Sequence, residues 1–268
     1  MINTKSNLLI LIPPSEGKNK EGTDKALNIT NLSFKELNVY REKLINNLIS
    51  IMKTEFPPKL LGVKGIALEE AIFSNLSIYK SFTMPAISRY TGVMYDAINY
   101  GQLNDFQKSF FNQNVLIISG LFGILRPDDL IPNYKLKMSA NLGSSSCANL
   151  WKKPITKLVS KIGEKKEIWD FLPIEHSKAI NFENVNYFKR YKVNFCQMNK
   201  GEIKTVTHWS KFLRGIFINN LCILKSKDNY LDTNEIIKTF EKVSKYKFMD
   251  NLSKTSKNDS TFTFLKEE

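Results

Sequence analysis

The chain has 268 residues, 42% of them hydrophobic, so it can bury a core without disulfides or a structural metal. This composition excludes a largely disordered chain, and the formal net charge is +13. No apolar run reaches the roughly 20 residues of a membrane helix and no signal peptide is legible, so a cytoplasmic protein without membrane contact is expected.

The first half of the chain begins with a predicted strand at Leu8–Ile12, which a double proline closes. Ser33 and Glu36 have the spacing of a capping box and predict the start of a helix. The buried face of that helix is predicted from apolar residues at helical spacing, namely Leu37, Tyr40, Leu44, Leu48 and Met52.

The rest of the chain continues to alternate strands and helices. Apolar runs predict strands, the last of them at a sheet edge, at Val115–Ile118, Glu167–Phe171, Asn194–Met198, Ile203–Thr207 and Thr261–Leu265. Helical spacing predicts helices within Lys59–Leu76, over Pro85–Asn99, from about Pro154 to Ile162, over Trp209–Leu221 and from Asp232 to Lys245. The polar segment Ser253–Ser260 is expected to be loose. The whole chain, residues 1–268, is expected to form one mixed α/β (α+β) domain with a central sheet and surrounding helices.

The positive charge is concentrated in the second half of the chain, where 25 Lys and Arg face 14 Asp and Glu. Between Tyr187 and Lys227, nine basic residues stand against a single acid, Glu202. Such an excess favours a polyanionic partner such as nucleic acid. A lysine-rich solubilising surface is the alternative, and charge alone does not separate the two.

The cysteines and histidines form no recognisable metal-binding or disulfide pattern. Cys147, Cys196 and Cys222 are far apart, and only His176 and His208 accompany them. An odd number of dispersed cysteines excludes a complete disulfide framework, and no soft or borderline metal site is predicted. We therefore expect no metal and no cofactor, and direct iron chelation has little support.

The first candidate functional segment, PPSEGK, directly follows the first predicted strand. In open α/β sheets, ligands bind beyond the carboxyl ends of the strands. Ser15, Glu16 and Lys18 would offer a hydrogen-bond donor, a carboxylate and a cation there. The segment is not a Walker loop, because the earlier glycine is missing and Asn19 stands where Ser or Thr would hold magnesium. An ordinary turn at the end of a strand is the alternative.

The second candidate segment, Ser119–Met138, follows a buried strand and is rich in Gly, Arg, Asp and Tyr. Arg126 suits bidentate recognition of phosphate or carboxylate. The paired aspartates that end at Asp129 could orient this arginine or hold a divalent cation, and Tyr134 follows them. A salt-bridged loop is the alternative, but the density of these residue types favours a site.

A possible helix-hairpin-helix lies at about residues 56–76, where the sequence reads LLGVKGIALEEA. In such a motif, amides near Gly62 and Gly65 and the side chain of Lys64 would hold a DNA phosphate without reading sequence. A plain connection with a glycine at the end of the first helix is the alternative.

Two helical segments complete the candidates. Residues 89–96 read RYTGVMYD, in which Tyr95 lies one turn after Thr91, and a packed helix explains most of this pattern. Lys211 and Arg214 share a helix face and could line the same cleft as the other candidates, or form a solvated basic face.

Together these segments resemble the YaaA-type peroxide-stress family, in the branch that carries PPSEGK. The matching segments are residues 13–18, 89–96, 119–138 and 211–215, in the family's order. The resemblance implies a compact mixed α/β fold, a positively charged cleft, a helix-hairpin-helix-like element, DNA binding, and a role in limiting oxidative damage linked to lowered free iron. The family's Tyr-Arg-Leu-Glu-Met is here Tyr134 to Met138 with Lys137 in place of the acid. The family's Ser-x-Glu-Tyr is matched only loosely, at Glu175.

Two functions therefore stay open. The first is a DNA-binding protein that contacts phosphates non-specifically and limits iron-mediated damage, with Gly62, Lys64 and Gly65 at the DNA. The second is an enzyme acting on a nucleotide or nucleobase-containing substrate, with catalytic candidates Glu16, Arg126, Asp129 and Tyr134. Either could hold a phosphate-bearing ligand through Ser15, Lys18, Tyr95, Arg126, Lys211 and Arg214. Whether the loops at Glu16, Arg126 and Lys211 line one cleft would distinguish them.

Overall fold

The computed structural model describes residues 7–206 and 209–266. In these ranges the strands are β1 (Leu8–Ile12), β2 (Asp24–Ala26), β3 (Phe82–Pro85), β4 (Val115–Ser119), β5 (Gly123–Leu125), β6 (Leu130–Ile131), β7 (Glu167–Asp170), β8 (Lys189–Asn199), β9 (Glu202–Thr205), β10 (Tyr246–Phe248), β11 (Lys254–Thr255) and β12 (Asp259–Lys266). The α-helices are α1 (Asn38–Ile51), α2 (Pro57–Leu61), α3 (Ile66–Leu76), α4 (Ala86–Arg89), α5 (Val93–Ile98), α6 (Asp105–Asn114), α7 (Cys147–Gly163), α8 (Ile174–Ser177), α9 (Ser210–Lys227) and α10 (Thr233–Ser244).

The central sheet has the strand order β10-β12-β8-β7-β1-β4-β5, with β9 paired to β8 and β11 to β12. The five strands from β12 to β4 are parallel, and antiparallel strands flank them. Every residue of β1 and β4 is buried, as expected for parallel strands covered on both faces. The predicted mixed α/β class is therefore confirmed.

The chain changes direction across the sheet between β1 and β7. The next strand of this sheet after β1 is β4, which lies on one side of β1. The later strands β7, β8 and β12 lie on the opposite side of β1. A crevice opens outside the carboxyl ends of two such strands. The loops that leave Ile12 and Asp170 therefore flank one site.

A small second sheet, β2-β3-β6, lies beside the first and is held by a buried arginine. Arg89 is 0% exposed and donates to the carbonyl oxygens of Asn19, Glu21, Phe82 and Ile131. It thereby ties the loop after β1 to both β3 and β6.

The capping box predicted at Ser33 is wrong. The Ser33 amide instead donates to Asp129 Oδ1 at 2.7 Å, and a 3-10 turn at Lys35–Leu37 precedes α1. Four of the five apolar residues predicted for the helix face are buried, whereas Tyr40 is 40% exposed. Arg41 is fully buried instead, because it donates to the carbonyl oxygens of Ser33, Phe122 and Ile124.

The helix predicted over Pro85–Asn99 is two short helices, α4 and α5. They are separated at Gly92, whose φ of 103° lies outside the helical region. The predicted start near Pro154 is also wrong, because the Ser146 side chain caps α7 by accepting from the Asn149 amide at 3.3 Å.

The strands predicted at Asn194–Met198 and Ile203–Thr207 are found as β8 and β9, which pair as an antiparallel hairpin. Lys200 and Gly201 form its turn, both with positive φ, as the tightest hairpin turns require. The predicted strand end at Thr207 lies outside the described residues.

The C-terminal strand differs from expectation. Thr261–Leu265 lies inside the sheet, between β10 and β8, because the short strand Tyr246–Phe248 covers its outer side. Part of the segment Ser253–Ser260 is ordered, because Lys254 and Thr255 pair with β12.

Candidate functional site

A polar site lies where β1, β4 and β7 end. Pro13–Lys18 follows β1, Ser119 ends β4, and Asp170–His176 follows β7. Tyr95 positions the first of these loops, since its buried hydroxyl donates to the Pro13 carbonyl oxygen at 2.9 Å. Tyr95 thus contributes to the site by holding the backbone of the loop after β1.

A buried chain of hydroxyl groups forms the floor of the site. Ser119 Oγ accepts from the amides of Leu121 (3.2 Å) and Phe122 (3.1 Å), so its own hydrogen is free for Tyr134 Oη at 2.8 Å. Tyr134 Oη then donates to Tyr90 Oη at 2.8 Å. Burial raises the pKa of Tyr134 to about 12, so these hydroxyls stay neutral at physiological pH.

The Lys18 ammonium lies directly above this floor. Its Nζ is 4.5 Å from the centre of the Tyr134 ring and 5.5 Å from that of Tyr90, and it donates to the Ser15 carbonyl oxygen at 3.0 Å. The pKa of Lys18 is lowered to about 7, mainly by burial and in part by the charge of Lys135, while the Glu16 carboxylate opposes the decrease. Lys18 can therefore gain or lose a proton near neutral pH.

Replacing Lys18 by methionine is expected to stabilise the protein by about 1–3 kcal/mol at pH 6. Because the folded pKa of Lys18 is below its ordinary value of 10.5, the unfolded chain binds more protons between about pH 7 and 10.5. The penalty of burying the charge is full below pH 7 and is lost as the pH rises through this window. Urea unfolding at pH 6, 8 and 10 measures it.

The control for this prediction is Lys20→Met, which removes an exposed lysine paired with Glu70. The control should show no such pH window. A stability gain in Lys18→Met that is the same at all three pH values would contradict the assignment.

Glu16 bridges two lysines at the mouth of the site. Its Oε2 lies 3.1 Å from Lys135 Nζ and its Oε1 lies 3.1 Å from Lys137 Nζ. Partial burial alone would raise the pKa of Glu16, but the two ammonium groups outweigh it and the pKa is lowered. Lys137, which replaces the family's acid, is therefore paired with an acid of the first loop.

Glu175 and His176 form the remaining wall, and the sequence did not predict the histidine as part of it. Glu175 Oε1 accepts from the Ser139 amide at 2.9 Å, whereas His176 Nδ1 is buried without a hydrogen-bond partner in the described ranges. Burial lowers the pKa of His176. The feature of the sequence that could have indicated His176 is its position shortly after β7, one of the two strands between which the strand order reverses.

Three adjoining cavities make the site a groove. The first, of about 380 Å³, lies between the loop after β1 and α3, and shares Glu16, Lys18 and Lys135 with a central cavity of about 50 Å³. Lys137 then joins the central cavity to a third, of about 640 Å³, beside α2. We call this series the lysine groove; residues 133–143 form one side of it and the α2–α3 hairpin lines both outer cavities.

The connection between α2 and α3 is an open turn with two glycines. Gly62 and Gly65 both have positive φ, and the space on the side-chain face of each is open. Among the described residues no side chain caps α3, and Lys64 is exposed between the glycines. The amides at the start of an uncapped helix favour an anion.

The start of α9 lies at the same edge of the sheet. Gly215 packs against Met94, and Asn219 Nδ2 donates to the Ile98 carbonyl oxygen at 2.7 Å, so α9 runs parallel to α5. Arg214 lies near the buried Asp170 at the end of β7. Burial lowers the pKa of Arg214, and the negative charge of Asp170 opposes this decrease. The exposed Lys211, one turn earlier, lines none of the three cavities.

The structure places Arg126 and Asp129 away from the lysine groove. β5 is antiparallel to β4, so the chain after Leu125 returns to the amino end of β4, opposite Ser119. There Arg126 donates to the carbonyl oxygens of Gln113 and Val115. The Asp129 carboxylate accepts from the amides of Ser33 and Arg126, both at 2.7 Å, and so holds the backbone of the loop.

Ion pairs take up much of the basic excess between Tyr187 and Lys227. The basic residues that pair with acids are Arg190 with Asp259, Lys192 with Asp170, Lys204 with Glu202, and the buried Lys225 with Glu167. The polyanion surface that charge counting places in this segment is therefore much reduced.

Within residues 7–206 and 209–266, no helix is long and apolar enough to cross a membrane. Over the same ranges, no group of three or more His, Cys, Asp or Glu side chains could hold a metal ion.

The fold and site define an α/β protein with a lysine-rich groove at the carboxyl edge of a parallel sheet. A family model described as "Peroxide stress protein YaaA" matches residues 8–252. The chain therefore belongs to the YaaA peroxide stress family, which confirms the resemblance seen in the sequence.

Relatives of similar length support this membership. The chain is 28% identical over 230 residues to an uncharacterised protein of Campylobacter jejuni, an alignment that covers 85% of this chain and 88% of that protein. It is 27% identical over 252 residues to a UPF0246 protein of Rickettsia felis, covering 91% and 97%. It is also 27% identical over 237 residues to a UPF0246 protein of Fusobacterium nucleatum, covering 85% and 89%.

Proposed function

We propose that this peroxide stress protein binds DNA non-specifically, through phosphate contacts in the lysine groove, and so limits iron-mediated oxidative damage. The observation that carries the proposal is that the three cavities share lining residues and are lined by four lysines, Lys18, Lys59, Lys135 and Lys137. A row of ammonium groups attracts a polyanion regardless of its sequence.

The hairpin between α2 and α3 supplies a second kind of phosphate contact. Its open glycines let a phosphate approach the uncapped amides of α3, with Lys64 beside them. Backbone amides fix the position of a phosphate and carry no sequence information. Both contacts therefore support binding that is independent of sequence.

A binding titration at several salt concentrations tests the proposal. The logarithm of the association constant is expected to fall linearly with the logarithm of salt concentration, by about 0.9 per duplex phosphate contacted. The double variant Lys59→Ala/Lys64→Ala should make this slope shallower by about one to two units and weaken binding.

The matched control is Lys152→Ala/Lys153→Ala, two exposed lysines on α7 outside the groove. This control should keep the slope of the unmodified protein. An affinity that barely changes with salt, or a Lys59→Ala/Lys64→Ala variant that binds unchanged, would refute the proposal.

A second candidate function is catalysis on a nucleotide, which one observation favours. Lys18 Nζ lies over the Tyr134 ring in the lining of the 380 Å³ cavity, and burial lowers the pKa of Lys18 to about 7. Of the four catalytic candidates, Glu16 and Tyr134 remain, because Arg126 and Asp129 lie elsewhere, and Lys18 joins them. Mass-spectrometric detection of product from a nucleotide panel, lost in Lys18→Met, would support it, and product formed equally by both proteins would refute it.

A further inference from the structure

The lysine groove is divided in a way that matches an unpaired strand better than a duplex. Its two larger cavities, of about 380 and 640 Å³, are separated by a constriction of about 50 Å³. The bases of a duplex are stacked inside it and cannot enter separate cavities, whereas the bases of a single strand are free to do so.

Each larger cavity carries an exposed aromatic ring. Phe73 on α3 is 72% exposed and lines the first cavity, on whose floor Tyr134 lies. Phe56, just before α2, is 68% exposed and lines the third. Aromatic side chains beside a positive groove are the usual platform on which unpaired bases stack.

The constriction between the cavities is shaped for one anionic group. Glu16 Oε1 and Oε2 each lie 3.1 Å from an ammonium group, those of Lys137 and Lys135. The Glu16 carboxylate is itself 65% exposed, so it can swing out into solvent. A phosphate in its place would present two oxygens to the same two lysines.

We propose that the lysine groove takes an unpaired dinucleotide step of DNA, with one base in each larger cavity and the connecting phosphate replacing Glu16 between Lys135 and Lys137. This rests on the DNA binding proposed above and narrows it to single-stranded or locally unpaired DNA. Glu16 then acts as an internal competitor that any bound strand displaces.

Fluorescence anisotropy with oligothymidylate of about 12 nucleotides, a usual single-strand site size, and with a duplex of equal length tests this. We expect the single strand to bind at least about tenfold tighter. Phe56→Ala and Phe73→Ala should each weaken single-strand binding at least about fivefold, the lower limit for losing one stacked base, and leave duplex binding unchanged.

Two matched controls isolate these effects. Phe106→Ala removes an equally exposed ring, 65% exposed, from α6 and should change neither affinity. Glu16→Gln should tighten single-strand binding more than Glu69→Gln, which removes the same charge from an exposed acid of α3 outside the groove. Equal thermal unfolding of all variants confirms that they fold.

The possible outcomes separate this inference from the proposed function. Duplex binding as tight as single-strand binding, or full single-strand affinity in both phenylalanine variants, overturns the inference and leaves the DNA-binding proposal standing. Binding of neither form of DNA overturns both. A poly-glutamate peptide bound as tightly as the oligonucleotide also overturns the inference and points to an acidic peptide as the occupant.

Discussion

Replacing Arg89 by methionine is expected to lower the free energy of unfolding by about 3–5 kcal/mol, the cost of breaking a buried, hydrogen-bonded charge site. Arg89 is fully buried, and its guanidinium donates to four carbonyl oxygens on three different segments. Methionine has no donor, so these carbonyls would remain buried without partners. Urea unfolding of the variant measures the loss.

Lys225→Met separates this loss of stability from a loss of the site. Lys225 is also a buried cation, 2% exposed, but it pairs with Glu167 at 3.1 Å, at the amino end of β7 and away from the lysine groove. Both variants should be destabilised, and only Arg89→Met should weaken DNA binding at temperatures where both are folded. A loss below about 1 kcal/mol in Arg89→Met, the scale of a surface substitution, would contradict the role given to this arginine.

Replacing Lys135 and Lys137 together by glutamine is expected to weaken DNA binding about 100-fold. A hydrogen bond to a charged group contributes about 1.5–3 kcal/mol, and the two lysines are the pair that would hold one phosphate. Glutamine keeps a hydrogen-bond donor on a slightly shorter side chain and removes the positive charge. Anisotropy titrations at fixed salt concentration measure the change.

The stability of this variant should change little, because Glu16, the shared partner, is 65% exposed and pairs in contact with solvent contribute about 0–1 kcal/mol. Lys152→Gln/Lys153→Gln makes the same change of net charge on α7 and should weaken binding far less. Equal losses in the two double variants would mean that overall charge, and not the lysine groove, governs binding.

Secondary-structure elements could be predicted from the sequence where the neighbouring residues alone determine them. Two short apolar runs predict buried strands, at Leu8–Ile12 and at the start of β4. Every side chain of both strands is buried in the structure. The β8–β9 hairpin follows from a turn that favours positive φ at Gly201. The class of the fold follows from the alternation of such elements with helices.

Features set by distant partners could not be predicted. The Ser33 capping box fails because the Ser33 amide finds Asp129, far away in the sequence. The last strand is internal because β10 pairs with its outer side. Neither contact can be recognised from the residues that neighbour it in the sequence.

Only part of the site could be predicted, because the rest of it also depends on distant partners. Glu16, Lys18 and Tyr134 come together because the ends of parallel strands meet at one edge of the sheet. Arg126, placed with them by sequence proximity, is carried away because β5 reverses direction. His176 joins the site only through the order of strands, which the sequence does not state.

Photocrosslinking tests the central claim, that DNA lies in the lysine groove, most directly. An oligothymidylate carrying 5-iododeoxyuridine at single positions would be irradiated with the protein, and the crosslinked residues identified by mass spectrometry. Crosslinks to Phe56, Phe73 and Tyr134, which line the groove, are the predicted result. Crosslinks confined to β8, β9 and α9, with none in the groove, would contradict it.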